Sequence, residues 1–274
     1  MNAVIKETSN TKSIRTTEVV SWLLSHGIIT VTNEELSVLL GVPNNQLPQR
    51  LAPLVKRREI ISPCQGFWVP IPFEYRQWGA PEGLYYVDRM MRYLDIDYYI
   101  GWFNAAALLG ASHHAVQVFQ VATNKQLRNK FVGCTDYRFF QRSNVGKLPV
   151  FRYTSQIGTA NVSTRAATML SVVNDLNLVA GLDNATNIII ELSDNEESFI
   201  SEISACFSLF PISALRRLGY ILENYTETSN LDELVEISQK NAVKISKLSF
   251  YKNYSGHINN KWSLDINERI NPDV

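Results

Sequence analysis

Short amphipathic helices dominate the pattern of apolar and polar positions in the first part of the chain. Residues 16–26 carry apolar side chains at helical spacing and are followed by Gly27, a residue that commonly ends a helix. Thr32 and Glu35 form a capping box, in which each side chain accepts a hydrogen bond from an otherwise unpaired backbone N–H. The box predicts a second helix, which ends at Gly41.

A third helix is predicted within residues 44–58, after the tight turn at Val42 and Pro43. Its apolar stripe consists of Leu47, Leu51, Leu54 and Val55. Pro48 falls in the first turn, where its missing N–H does little harm, whereas Pro53 lies in the interior and costs about 3 kcal/mol in a regular helix. Two readings remain open: the helix kinks at Pro53, or the part that reads bases is confined to residues 46–52.

The runs 60–62 and 67–69 flank a turn and predict a β-hairpin. Helices followed by a hairpin are typical of a winged helix-turn-helix, so residues 1–74 are predicted to form a DNA-binding domain of this kind. Asn, Gln and Arg side chains pair with base edges, while Lys and Arg suit phosphates. The predicted contacts here are Asn45, Gln46, Gln49, Arg50, Lys56, Arg57, Arg58 and Gln65. The Phe67–Trp68 hairpin is expected to contact the DNA backbone. The alternative is a module that binds another protein.

Residues 75–274 are predicted to form a larger α+β domain, with a mainly antiparallel sheet and a C-terminal set of helices on one side. Tyr98–Gly110 is apolar and Ala-rich and predicts one buried helix, and 116–123 predicts a central strand. Further strands are expected at 136–142, 150–155, 159–162 and 261–266, the last returning to the sheet. Helices are expected at 81–94, 166–178, 182–192, 196–209, 212–225 and 231–242.

The net charge of zero conceals an uneven distribution along the chain. Residues 1–74 carry 7 Lys/Arg and 6 Asp/Glu, residues 75–153 carry 10 and 5, and residues 154–274 carry 9 and 15. A basic middle segment favours contact with a polyanion. Its predicted contacts with the DNA backbone are Lys125, Arg128, Lys130, Arg138 and Arg142. The alternative is that charges of both signs interleave once the chain is folded.

No catalytic, metal or cofactor site is predicted. The three cysteines are scattered, and the adjacent His113 and His114 cannot share one helix face toward a metal. A metal-dependent nuclease is the third function considered, but the carboxylates Asp194, Glu196 and Glu197 are better explained as the start of a helix. No apolar run approaches the roughly 20 residues that span a bilayer. A cytoplasmic protein without a secretory leader is expected.

Several stretches together resemble the AbiEi family, the antitoxins and autoregulators of bacterial type IV toxin–antitoxin systems. They are Tyr98–Gly101, Asn104–Ala106, Gly110–His114, Phe119–Val121, Val162–Thr168, Ala214–Tyr220 and Trp262–Val274. The resemblance implies a repressor that binds inverted repeats in its own promoter, double-stranded DNA being its partner. It also implies that the C-terminal part counters a nucleotidyltransferase-like toxin without forming a stable complex with it. The oligomeric state is left open.

Overall fold

A computed structural model describes residues 4–5, 13–111, 118–193, 199–240 and 244–273. Between residues 13 and 74 the structure describes three α-helices and a three-stranded antiparallel sheet of order β1-β3-β2. These elements are α1 (Val19–Ser25), β1 (Val31–Thr32), α2 (Asn33–Leu40), α3 (Leu47–Lys56), β2 (Ile60–Cys64) and β3 (Phe67–Pro70). The apolar stripes of the three helices meet in one core that includes Leu23, Leu36 and Leu51.

The rest of the described chain contains seven further α-helices and three-stranded and six-stranded sheets. The helices are α4 (Gly83–Tyr93), α5 (Trp102–Leu108), α6 (Arg165–Asn174), α7 (Leu182–Ser193), α8 (Phe199–Cys206), α9 (Ile212–Tyr225) and α10 (Asp232–Lys240). The strands are β4 (Tyr98–Ile100), β5 (Val118–Thr123), β6 (Lys130–Val132), β7 (Thr135–Gln141), β8 (Val150–Thr154), β9 (Thr159–Ser163), β10 (Ser246–Lys247), β11 (Ile258–Asn259) and β12 (Leu264–Asp265). The α+β class is confirmed.

The six-stranded sheet is mixed, with the strand order β6-β7-β5-β4-β9-β8. Three neighbouring pairs are antiparallel, but β5 runs parallel to β7 and β4 runs parallel to β9. The prediction of a mainly antiparallel sheet rested on short links between strands that follow each other in sequence. In the structure β6 and β5 pair with opposite edges of β7. The β6–β7 pair is antiparallel, whereas the β5–β7 pair is parallel.

The two faces of this sheet are covered by different elements, because successive side chains of a strand point to opposite faces. Tyr99 and Ala122 pack with α6, α7 and α9 on one face. Tyr98 and Val121 pack on the other face with α4 and with the β2–β3 hairpin. The expected C-terminal helices α6, α7 and α9 thus share one face, whereas α4 lies on the other.

The predicted helix over Tyr98–Gly110 is wrong at its N-terminal end. Tyr98–Ile100 is a fully buried strand between β5 and β9, and the helix begins only at Trp102. Aromatic and β-branched residues suit a buried strand as well as a buried helix, so local composition cannot separate the two. The helix expected at 196–209 ends earlier, at Cys206 of α8, and is followed by a 3₁₀ turn at Phe207–Leu209. The predicted strand 261–266 is reduced to β12, which pairs with β10 and β11 instead of the main sheet.

Candidate nucleic-acid interface

Both ends of α2 are defined by local features of the backbone and side chains. The predicted capping box is present: the Thr32 N–H donates to Glu35 Oε2 at 3.0 Å, and the Glu35 N–H donates to Thr32 Oγ1 at 3.3 Å. At the other end of α2, Gly41 adopts a left-handed conformation with φ 63°. A 3₁₀ turn at Asn44–Gln46 then leads directly into α3. The connection between α2 and α3 is thus short, running from Gly41 to Gln46.

The polar side of α3 is open to solvent. Leu47, Leu51 and Leu54 are buried, and the residues between them are exposed. Asn45, Gln46, Gln49 and Arg50 form no side-chain hydrogen bond or ion pair with any residue that the structure describes. These four side chains are therefore free to meet a ligand.

Pro53 does not divide α3. The helix continues from Leu47 to Lys56, and the Arg57 N–H donates to the Pro53 carbonyl at 3.1 Å. Pro53 is exposed, so the helix turn that lacks its N–H faces water. The helix therefore continues past Pro53, and the confinement of the base-reading part to residues 46–52 stays a prediction.

The basic end of α3 is partly occupied by contacts within the chain. Arg57 pairs with Glu59 at 3.0 Å, and Arg58 donates from Nη1 to the Gln77 carbonyl at 2.9 Å. Lys56 is exposed and makes no ion pair within the described part of the chain. Of the three predicted phosphate contacts, Lys56 is therefore the most available.

The β2–β3 hairpin packs against the larger part of the chain. The Tyr93 hydroxyl of α4 donates to the Gln65 carbonyl at the hairpin tip, at 3.3 Å. Phe67 is buried, and the Trp68 indole N–H donates to Asn33 Oδ1 at 2.7 Å. Both rings therefore take part in the fold, and contact of the hairpin with the DNA backbone stays a prediction. The Gln65 side chain remains exposed.

Lys130 of the basic middle segment faces inward. Its ammonium donates to the Pro63 carbonyl, and burial lowers the pKa of this lysine. Lys125 is exposed but lies 3.7 Å from the Asp95 carboxylate.

The arginines of the basic middle segment also differ in whether contacts within the chain already engage them. Arg138 pairs with Asp136 at 2.7 Å, and Arg142 pairs with Asp175 at 3.0 Å while lying over the Trp102 ring. Arg128 is exposed and has no ion-pair partner among the residues described. Arg128 is thus the arginine of this segment best placed for an external phosphate.

Sequence reasoning missed an exposed basic residue that lies beside the N-terminal part of the chain. Arg89 of α4 is exposed, and its Nη1 lies 3.5 Å from Thr30 Oγ1, next to β1. The signal was present, since Arg89 falls between the apolar positions of an amphipathic helix.

The described residues contain no group of three or more His, Cys, Asp or Glu side chains that could hold a metal ion. His113, His114, Asp194, Glu196 and Glu197 lie outside the described residues. Within the same described ranges, no helix is both long and apolar enough to cross a membrane.

The six-stranded sheet, with the helices that pack on its Tyr99 and Ala122 face, lies in a range of the chain that matches a known family. Residues 99–224 match the family described as the AbiEi antitoxin C-terminal domain. This part of the chain is similar to the AbiEi antitoxins, which supports the resemblance seen in the sequence. The match begins inside β4 and ends inside α9, so it includes most of the main sheet and leaves α1–α4 outside. An antitoxin domain implies a toxin as its functional counterpart.

The likeness to a solved structure extends further along the chain. The RV2827C protein from Mycobacterium tuberculosis superposes with a TM-score of 0.61 at 14% sequence identity, over 92% of each chain. At this identity the likeness shows a shared fold and nothing about activity. No curated protein matches the chain.

Proposed function

We propose that this chain is a DNA-binding antitoxin that represses its own operon. The N-terminal part, residues 1–74, would act as a winged helix-turn-helix, and residues 75–274 as the antitoxin domain. The observation that carries the proposal is the exposed polar side of α3, whose Asn45, Gln46, Gln49 and Arg50 side chains have no partner in the described chain. A rigid helix with free amides and a free guanidinium is suited to the major groove.

Phosphate contacts would surround this reading helix. Lys56 and Gln65 lie at the end of α3 and at the hairpin tip, and Arg128 supplies a further free charge. Arg57, Arg58, Lys125, Lys130, Arg138 and Arg142 remain predicted contacts, each of which would have to share or leave an internal partner. We therefore expect the main electrostatic contribution from Lys56 and Arg128.

The test of DNA binding is a gel-shift titration with the duplex upstream of the chain's own gene, against random duplex competitor. We expect Arg50→Ala to weaken operator binding by about 1–3 kcal/mol while binding to random DNA changes little. Arg269→Ala is the matched control, because Arg269 is also exposed but lies in the C-terminal segment. An equal loss on operator and random DNA would make Arg50 a phosphate contact, and no binding by the wild type would remove the repressor role.

The antitoxin role requires a different readout. The family resemblance supports a type IV mode, in which a nucleotidyltransferase-like toxin in the cytoplasm is countered without a stable complex. Co-expression with the neighbouring toxin gene should restore growth, and the two proteins should not co-purify. Arg50→Ala should keep the rescue from a constitutive promoter while losing repression. Loss of both activities would show that Arg50 acts on folding.

A protein-binding role for the N-terminal part is the second candidate, favoured by exposed aromatic side chains in the connector after β3. Phe73 is 82% exposed and Trp78 is 54% exposed. Exposed rings of this kind are enriched in protein interfaces. If Phe73→Ala abolishes the effect of the chain on its toxin but leaves the gel shift intact, this connector serves a protein contact.

A further inference from the structure

Residues 244–257, called the aromatic segment below, present large apolar rings to solvent. Tyr251 is 65% exposed, Tyr254 is 63% exposed and Phe250 is 40% exposed. The segment lies between α10 and β11 and includes β10, outside the residues that match the AbiEi domain. Single exposed apolar side chains are ordinary, but here three exposed aromatic rings lie within five residues, and those of Phe250 and Tyr251 are 6.4 Å apart. Such a surface costs hydration free energy and contributes little to the core.

The backbone of the aromatic segment is held in place by two side chains from the C-terminal end of the chain. Asn267 Oδ1 accepts from the Ser249 N–H at 2.9 Å, and Asn267 Nδ2 donates to the Lys252 carbonyl at 3.1 Å. The Asp265 carboxylate accepts from the N–H groups of Ser255 and Gly256, both at 2.9 Å. The exposed rings are therefore presented by an ordered backbone, which lowers the entropy lost when a ligand binds.

A buried arginine underlies this surface. Arg217 of α9 is 2% exposed, its Nε donates to the Lys247 and Leu248 carbonyls at 2.9 Å, and its guanidinium lies 4.0 Å from the centre of the Phe250 ring. Burial lowers the pKa of Arg217 to about 10, so the group stays charged at neutral pH. No carboxylate of the described residues lies within ion-pair distance of it.

The aromatic segment is also basic along its length. It contains Lys244, Lys247 and Lys252 and no Asp or Glu, in contrast to the acidic surplus of residues 154–274. Lys247 lies 5.4 Å from the centre of the Tyr254 ring. The carboxylate that touches the segment, Asp265, is already engaged by Ser255 and Gly256. Exposed rings are thus combined with positive charge that no local acid offsets.

We propose that the aromatic segment binds single-stranded nucleic acid. Aromatic side chains interleaved with basic ones are the features by which proteins bind unpaired strands, because each base has a face that stacks on a ring and each nucleotide carries a phosphate. Tyr251 and Tyr254 provide stacking surfaces, and Lys244 and Lys252 neutralise phosphates. Duplex DNA does not offer free base faces, so this surface is separate from the one on α3. Single-stranded DNA and RNA share the recognised chemistry.

The test uses the full chain and fluorescence anisotropy of labelled oligo(dT) and oligo(U) of about 16 nucleotides, the upper site size for such surfaces. Tyr251→Ala should weaken binding by at least about fivefold, the loss of one stacked base. Tyr251→Phe keeps the ring and should retain wild-type affinity. Phe131→Ala is the matched control, because Phe131 is an exposed aromatic residue of β6, outside the segment. A thermal melt of each variant verifies folding.

A second variant and a second polyanion separate stacking from charge. Lys252→Ala should lower the dependence of log affinity on log salt by about 0.7, the contribution of one phosphate contact on a single strand. Heparin, a polyanion without bases, should bind Tyr251→Ala and wild type equally. The ratio of oligo(U) to oligo(dT) affinity shows which nucleic acid is preferred.

Three results would overturn the proposal. The first is an absence of oligonucleotide binding by the wild type, which would leave the surface to an acidic protein partner. The second is an equal loss of heparin and oligonucleotide binding in Tyr251→Ala. The third is loss of oligonucleotide binding in Arg50→Ala but not in Tyr251→Ala, which would place the single strand on α3.

Discussion

A single methyl group added at Gly219 should destabilise the chain, although it lies inside a helix where alanine is normally preferred. A Cβ at this position of α9 would lie 2.2 Å from Cζ3 and 2.3 Å from Cη2 of Trp262. Trp262 is fully buried, and its indole N–H donates to Glu223 Oε2 at 2.7 Å. The ring therefore cannot retreat without giving up a hydrogen bond to a carboxylate.

Two opposing effects decide the sign of Gly219→Ala. Helix propensity alone would stabilise the variant by about 0.8–1 kcal/mol. Overpacking of a core costs about 1–3 kcal/mol, and losing the hydrogen bond to the charged Glu223 costs about 1.5–3 kcal/mol more. We expect a net loss of about 1.5–5 kcal/mol in the free energy of unfolding, measured by urea denaturation.

The control for this experiment is Gly146→Ala. A Cβ there would meet no heavy atom within 4 Å, so the free energy of unfolding should change by less than about 1 kcal/mol. The double variant Gly219→Ala with Trp262→Leu should lose at least about 1 kcal/mol less stability than the sum of the losses in the two single variants. The reason is that the smaller side chain removes the clash. A more stable Gly219→Ala protein would refute the reasoning.

Three further predictions follow from single contacts. Burial raises the pKa of Asp88, but hydrogen bonds from Arg152 and Tyr98 outweigh it and hold the pKa below its ordinary value. The stabilisation by Asp88 is therefore present above about pH 4, the ordinary range for an aspartate, and is lost as the pH falls through the folded-state pKa. In an acid titration, Asp88→Asn should lose stability less steeply than the wild type. Gly66→Ala should destabilise the hairpin, because Gly66 has φ +77° and its Cβ would lie 2.4 Å from the Tyr93 hydroxyl; unchanged urea unfolding would contradict this. Arg128→Ala should flatten the salt dependence of duplex binding by about 0.9 in log–log slope, and an unchanged slope would remove Arg128 from the interface.

Local patterns were sufficient for the elements that carry the proposed interface. The Thr32–Glu35 capping box and the apolar stripe of α3 each depend on residues a few positions apart, and both are seen in the structure. Composition could not distinguish strand from helix at Tyr98–Ile100, because both alternatives bury the same residues. The parallel pairing of β4 with β9 joins segments some sixty residues apart, and no local signal indicates such a pair.

The sequence distinguishes only in part between basic side chains that are free and those that form ion pairs or hydrogen bonds within the chain. Asp136 and Arg138 are two positions apart on β7, so they share a face, and their pairing was predictable. Arg142 and Asp175 are 33 positions apart, and Lys130 and Pro63 are 67 apart. Their contacts depend on the tertiary fold. A basic run in a sequence therefore overstates the positive charge that is available to a ligand.

The hairpin tip held by Tyr93 and Lys130 has a consequence for the geometry of an operator complex. α3 packs against β2 of this hairpin, and the hairpin is fastened to α4 and β6. If α3 reads DNA as proposed, it would therefore hold residues 75–274 at a fixed angle to the duplex. Two copies seated one turn of duplex apart, about 34 Å, would hold their antitoxin domains at one defined separation. The number of base pairs between half-sites then determines whether neighbouring copies touch, so cooperative occupancy should vary with spacer length in steps of the DNA helical repeat.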